Sequence, residues 1–212
     1  EIIFEKKRMN TRVRFAPSPT GPLHIGGLRT ALFNYLFAKK KGGTFILRIE
    51  DTDRNRYVGG SEDYIQESLE WCGMLPDEGP KNGGKYGPYR QSERKNIYAE
   101  HIKTLLKSGA AYYAFDKAEQ LNEDRKEAEK KGQTFKYNHE NRLHFKNSLT
   151  LTEKETAKAL KDEFVIRLKV EPEETIIVKD IIRGLIKVES DTLDDKILMK
   201  SDGMPTYHFA NV

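Results

Sequence analysis

The 212-residue sequence predicts an α/β fold: a parallel strand–helix–strand unit in its first half, then a mixed region of helices and short strands. Three observations predict it. The hydrophobic period changes from two residues to the helical period within the first forty positions. The segments so marked, strand, helix and strand again, follow one another through short turns, which is how parallel neighbours are connected. Beyond about residue 105 the composition shifts to an aromatic segment, a highly charged helix and several short β-rich stretches.

The first strand runs from Thr11 to Ala16, where Val13 and Phe15 alternate with Arg12 and Arg14. Pro17-Ser18-Pro19-Thr20-Gly21-Pro22 cannot continue it. A helix starts at Ile25, with Leu28, Ala31, Leu32, Tyr35 and Leu36 expected to face the core. It ends near Lys41, before Gly42 and Gly43. Thr44 to Ile49 is the second strand. Ser61 is placed to cap a helix reaching Cys72, with Ile65 and Leu69 inward and Gly73 as terminator. Pro76 to Tyr89 reads as loop, and Ser92 opens a helix running to Gly109.

After the aromatic segment Tyr112, Tyr113, Phe115 comes a charged helix from Lys117 to Lys131 with little apolar face. Thr152 and Glu155 fit a capping box. Phe164–Val170, Thr175–Lys179, Leu185–Glu189 and Lys196–Met199 read as antiparallel strands, and Thr206 to Val212 as the start of a fresh helix. The expected division is therefore 1–105, with 1–10 a possible tail, then an insert at 106–203, then 204–212.

The totals exclude several classes. No apolar stretch is long enough to span a bilayer, so no membrane partner is expected. Basic residues follow the short apolar run at the start instead of preceding it, which does not fit an export signal, and Met9 is a candidate initiator. The single cysteine, Cys72, excludes an internal disulfide. A net charge of +4 permits a polyanionic partner without requiring one.

The first βα turn is the candidate site, since ligands of open parallel sheets bind beyond the carboxyl ends of the strands. Thr20, His24, Gly26 and Gly27 lie where the helix begins. A helix N-terminus offers amide hydrogens and partial positive charge to a phosphate. Two glycines there permit close approach of a purine, and His24 can donate to a phosphate oxygen. An ordinary proline-rich connection with a surface histidine has the same composition. Neither the dinucleotide fingerprint nor the P-loop is present.

Arg14-Phe15-Ala16-Pro17-Ser18-Pro19-Thr20-Gly21, followed by Leu23-His24-Ile25-Gly26-Gly27, resembles the first signature of class I aminoacyl-tRNA synthetases. Leu28-Arg29-Thr30-Ala31-Leu32-Phe33-Asn34 resembles the glutamate branch in particular, as does Gly27 where the general signature has a second histidine. Arg48-Ile49-Glu50-Asp51-Thr52-Asp53-Arg54, Gly87-Pro88-Tyr89-Arg90-Gln91-Ser92-Glu93-Arg94 and Lys200-Ser201-Asp202-Gly203 with Pro205-Thr206-Tyr207-His208 agree, in family order. The resemblance runs from about Thr11 to Val212. It implies the first half of a Rossmann-like nucleotide-binding domain carrying an α+β insert that grips the tRNA acceptor end.

It also implies the chemistry. Glutamate attacks the α-phosphate of ATP to give glutamyl-adenylate and pyrophosphate, and a ribose hydroxyl at the 3′ end of tRNA-Glu then takes the glutamyl group. By the same resemblance Thr20 and His24 act in catalysis, and Thr20, His24, Gly26 and Gly27 bind ATP. Arg14 holds the substrate side-chain carboxylate and Glu50 its α-amino group, with Ala16, Ser18, Tyr207 and Asn211 completing the glutamate pocket. Arg56 and Arg183 are candidates for tRNA contacts. Magnesium is expected only with ATP: Asp51 and Asp53 fit a capped acidic turn at least as well as a metal site. Some relatives carry zinc in the insert, but Ala114-Phe115-Asp116 stands in the corresponding stretch and no structural zinc is expected.

A second signature loop with a phosphate-binding lysine is expected further along such a sequence than this chain extends. The chain alone is therefore expected to be inactive, and the complete protein a cytoplasmic monomer. Competing readings are a paralogue that glutamylates a modified tRNA base, a glutaminyl enzyme, and a nucleotide- or RNA-binding module without catalysis.

Overall fold

The computed structural model describes residues 11–180 and 182–211, so the readings made for residues 1–10 and for Val212 lie outside it. The chain forms two compact units that divide between Lys95 and Asn96. This is a division by packing and assigns no function to either part.

In the first unit, β1 (Arg12–Phe15), α1 (Ile25–Lys41) and β2 (Thr44–Leu47) make the expected parallel pair, with Arg12 opposite Thr44 and Phe15 opposite Leu47. The ladder continues past both strand ends, because Arg48 N donates to Phe15 O and Glu50 N to Pro17 O, each at 3.0 Å. The other edge of β2 is satisfied by the segment read from sequence as plain loop. Leu47 N donates to Glu78 O, Ile49 N to Tyr89 O and Gln91 N back to Ile49 O. Each backbone group of a buried strand needs a partner, and an irregular glycine- and proline-rich chain supplies them here.

Helix α1 ends as its composition predicts. Gly42 is left-handed (φ 59°), and Gly43 N donates to Ala38 O at 2.8 Å. Gly43 has a second reason to be glycine: a Cβ there would lie 2.2 Å from Thr11 O, the carbonyl that starts the β1–β2 ladder. The inward face of α1 corrects the sequence expectation. Ala31 and Ala38 are fully buried and Leu28 and Tyr35 pack beside them, whereas Leu32 and Leu36 are 43% and 54% exposed. Apolar residues occupy several sides of this helix, so their period does not select one stripe. The side against the sheet is the one whose small alanines allow close approach.

Helix α2 (Ser61–Trp71) buries Ile65 and Leu69 as expected. Its N-cap is Gly60, not Ser61, which is the first helical residue and itself buried. Trp71, the last residue of the helix, is 88% exposed.

A compact ionic cluster fastens β1 to the loop beside β2. Both terminal nitrogens of Arg12 reach Glu78, each at 2.7 Å, and the Tyr89 hydroxyl donates to the same carboxylate. The guanidinium and the phenol hold the Glu78 carboxyl down at about 2, from an ordinary 4.5.

In the second unit, α3 (Lys95–Ser108) leads through Gly109 into β3 (Ala111–Ala114), the aromatic segment not assigned as a strand from sequence. Both faces of β3 are covered. Ala111 and Tyr113 face the cluster of Ile102, Ile166 and Leu198, while Tyr112 and Ala114 face Leu121 and Tyr137. A strand buried on both sides loses the polar–apolar alternation by which strands are recognised.

There follow α4 (Ala118–Lys130), which buries only Leu121, and α5 (Glu153–Ala159), which carries the reciprocal Thr152–Glu155 capping box. β4 (Val165–Leu168) is central in an antiparallel sheet ordered β3-β4-β7. β5 (Thr175–Asp180) and β6 (Gly184–Glu189) form a separate hairpin, and β7 (Ile197–Met199) precedes the short α6 (Tyr207–Ala210).

Asp195, fully buried, ties this unit together. It accepts from the Tyr112 hydroxyl at 2.6 Å and from Val170 N at 3.1 Å, and its own carbonyl accepts from Arg167 Nη1 at 2.9 Å. Arg142 Nε lies 3.2 Å from it as a charge contact. Arg167 in turn lies over the Tyr137 ring, 3.8 Å from its centroid. Burial pushes the Asp195 carboxyl up, against the pull of these donors, and also pushes up the Tyr112 phenol.

Two predictions follow from this packing. Because the folded Glu78 carboxyl is depressed, its stabilisation is complete above the ordinary value of 4.5 and is lost as pH falls from there through about 2. Glu78→Gln should therefore melt below the parent at pH 7, and the gap should shrink steadily below pH 4.5 to a small remainder near pH 2. A gap independent of pH would sink the assignment. Gly43→Ala should cost about 1–3 kcal/mol in urea unfolding, the usual range for forcing atoms into filled space. An unchanged midpoint would show that Thr11 yields freely.

Candidate active site

The site residues read from sequence in the first unit lie along two adjoining chain ends. Arg14 stands in β1, paired in register with Ile46, and is half-buried. Ala16 and Ser18 follow beyond the strand end, and Ser18 O accepts from Thr20 N at 2.9 Å, folding the turn back toward α1. Ala16 is half-buried, while Ser18 and Thr20 are exposed. Glu50 meets the same segment from β2, its amide on Pro17 O. Arg14, Ala16, Ser18 and Glu50 thus share the carboxyl end of the parallel pair, where the fold presents ligand-binding groups.

His24 has a structural task that sequence reasoning missed. It is the N-cap of α1, and its Nδ1 accepts from Gly26 N at 3.1 Å. An accepting Nδ1 places the proton of a neutral ring on Nε2, so the outward nitrogen of this exposed side chain is the donor. The expected phosphate donor is thereby oriented, and the Gly26 amide is engaged by the cap. Gly26 is needed for the cap itself, since a Cβ there would fall 2.9 Å from the imidazole Cε1. A Cβ at Gly27 would press on the end of the Leu23 side chain at 2.7 Å.

Glu50 is 3% exposed and densely held. Its Oε1 takes Arg48 Nε and Nη2, each at 3.0 Å, and Gln91 Nε2 lies 3.1 Å from both Oε1 and Oε2. Neither Arg48 nor Gln91 was singled out from sequence. Arg48 was within reach of sequence logic, since it lies two positions before Glu50 and a strand brings alternate residues to one side. Gln91 reaches Glu50 only through the irregular backbone ladder, and no periodic signal marks it.

The acidic turn has its own partners. Asp51 accepts from Ser92 N at 2.8 Å and Ser92 Oγ at 2.5 Å, which anchors to this acidic turn the 3-10 turn Gln91–Arg94 that runs straight into α3, so Ser92 stands at the helix start as expected. Asp53 takes Arg56 Nε at 2.7 Å, which lowers the Asp53 carboxyl and occupies one of the candidate tRNA-binding arginines. Among the described residues no group of three or more His, Cys, Asp and Glu is placed to hold a metal ion.

In the second unit, Tyr207 and Asn211 begin and follow α6. Both are exposed, and Asn211 Nδ2 lies 3.5 Å from the Tyr207 hydroxyl. Arg183 is exposed in the β5–β6 turn, where Asp180 Oδ1 accepts from its backbone amide at 2.7 Å. Asp116, in the stretch considered for zinc, accepts from the Tyr137 hydroxyl at 3.0 Å and from Lys146 N at 2.9 Å.

The chain belongs to the family of class I tRNA synthetases (E and Q), catalytic domain, whose model matches residues 10–212. It is similar to the glutamate–tRNA ligase of Christiangramia forsetii, 60% identical over 203 residues, and to that of Flavobacterium johnsoniae, 58% identical. In each case 95% of this chain is covered but only 40% of the relative. The crystal structure of a glutamate tRNA ligase from Elizabethkingia meningosepticum in complex with its amino acid superposes with a TM-score of 0.91 at 59% identity. That match covers 95% of this chain and 41% of the other.

Gly26→Ala should displace the His24 ring and lose the cap, costing about 1 kcal/mol in chemical denaturation. A variant as stable as the parent would show that the ring turns aside and that the cap contributes nothing.

Proposed function

We propose that this region, within the complete protein, activates glutamate with ATP and transfers it to the 3′ end of tRNA-Glu. The observation that carries the reading is Glu50, a carboxylate withdrawn from water at the strand end yet left with acceptor capacity on Oε2, where only Gln91 is in contact among the described residues. A buried carboxylate is costly unless it is paired, and one held ready for a further donor suits a substrate ammonium group.

In this reading Glu50 receives the α-amino group and Arg14 the side-chain carboxylate, with Ala16 and Ser18 beside them, and Tyr207 and Asn211 are assigned to glutamate binding on the family resemblance. Oriented binding of both reactants replaces any need for a protein nucleophile, because the substrate carboxylate itself attacks phosphorus. His24 Nε2–H and Thr20 meet the phosphates, where negative charge builds as pyrophosphate departs. Asp51 and Asp53 are engaged by Ser92 and Arg56; magnesium enters this reading as the companion of ATP, and no step is routed through it.

Residues 1–105 form the first part of the catalytic domain, 106–203 the acceptor-binding insert with Arg183 on its hairpin, and 204–212 the return to the catalytic domain. Arg56 contacts tRNA by exchanging Asp53 for a phosphate. The complete protein works as a cytoplasmic monomer.

The test is transfer of labelled glutamate to total tRNA by the complete gene product, with this chain beside it and glutamine as control. The complete protein should charge glutamate and not glutamine, and the 212-residue chain neither. If the complete protein charges neither amino acid, the reading fails.

A further inference from the structure

We infer that Gln91 is a positioning residue for the substrate ammonium group, acting through Glu50. The inference rests on the reading of Glu50 proposed above and names what makes that carboxylate selective. Gln91 is fully buried, and its amide nitrogen is equidistant, 3.1 Å, from the two oxygens of Glu50. This places the amide astride the carboxylate and fixes the rotation of the carboxylate plane.

Arg48 adds two contacts at 3.0 Å, both to Oε1. The two oxygens are therefore unequal. Oε1 receives three nitrogens, close to what its lone pairs can accept, whereas Oε2 receives the Gln91 amide alone among the described contacts. An approaching ammonium is directed to Oε2.

The backbone secures the clamp. Gln91 N donates to Ile49 O at 3.0 Å, directly before Glu50, and Ile49 N to Tyr89 O at 2.9 Å. A parallel bridge joins Ile49 and Arg90. Gln91 and Glu50 are thus fixed to one another by ladder contacts as well as by their side chains.

An amide at this place supplies a donor without charge. A lysine would neutralise Glu50 and a carboxylate would repel it, in either case spoiling its fit to one substrate cation. Hydrogen bonds to charged groups are worth about 1.5–3 kcal/mol, so losing the donor should weaken ammonium binding by roughly 10- to 100-fold.

The experiment compares Gln91→Met, similar in length but without a donor, with Glu50→Gln and the parent, all as complete gene products. The readouts are the KM values for glutamate and ATP, kcat, and competitive inhibition by glutarate, which has both carboxylates but no amino group. Gln91→Met should raise the glutamate KM at least about tenfold, with kcat and the ATP KM within about twofold and glutarate inhibition unaltered. Glu50→Gln should show the same pattern more strongly. A residue that merely supports the fold would weaken glutarate and glutamate alike, and that result overturns the inference. If Glu50→Gln raises the glutamate KM and Gln91→Met does not, the inference falls and the role of Glu50 stands. If Glu50→Gln leaves the glutamate KM unchanged, the ammonium reading itself is wrong and the inference falls with it.

Discussion

A carboxylate taken out of water must be surrounded by donors, and each unit of this chain is organised around one. In the second unit Asp195 draws in Tyr112 from β3, the Val170 amide after β4, and Arg142 from the segment between α4 and α5. Arg167 closes the arrangement by bonding the Asp195 carbonyl and lying on Tyr137. In the first unit Glu50 does the same with Arg48 and Gln91. The two environments differ in one respect. The Asp195 carboxylate takes the Tyr112 hydroxyl on one oxygen and the Val170 amide on the other, with Arg142 as a charge contact. Glu50 is satisfied unequally, saturated on one oxygen and not on the other.

The sequence made the regular elements legible where periodicity and punctuation agree. The βαβ unit, the Gly42 stop and the Thr152–Glu155 capping box are local features, and their bounds hold to within a residue or two. Legibility failed where a residue's surroundings come from afar. β3 was hidden because both of its faces are buried. The facing stripe of α1 was misjudged because its apolar residues nearly encircle it, leaving Ala31 and Ala38 to mark the true contact. Ser92 stands in the turn that opens α3, as its composition suggests, but its partner Asp51 lies 41 positions away and could not be read from the sequence. Of the candidate site, the residues of the first turn and Glu50 could be named from motif order. The partners that orient them, Arg48 and Gln91, depend on how residues 78–91 are stitched to β2.

The glycines of the first turn show how a motif can be right for more than one reason. Read alone, Gly26 and Gly27 suggest room for a flat ligand. In the folded chain Gly26 makes room first for the His24 imidazole, whose capping bond fixes which nitrogen carries the outward proton. The helix gains its cap and the ring gains a defined direction from a single contact, so a larger residue at position 26 would disturb both.

Trp71 is the only tryptophan in the sequence, and it stands in solvent at the end of α2. Its indole is hydrated before the chain unfolds, so its emission sits near that of a free side chain in the native state and shifts little on denaturation. A fluorescence trace excited at the indole band would then record almost nothing of the cooperative transition. The optical signature of packing lies instead with the buried tyrosines, Tyr89 in the first unit and Tyr98, Tyr112 and Tyr137 in the second, whose near-ultraviolet dichroism would vanish with their surroundings. The indole therefore offers no second probe against which the tyrosine signal could be compared, and the test of two-state behaviour available in a protein with a buried tryptophan is lost.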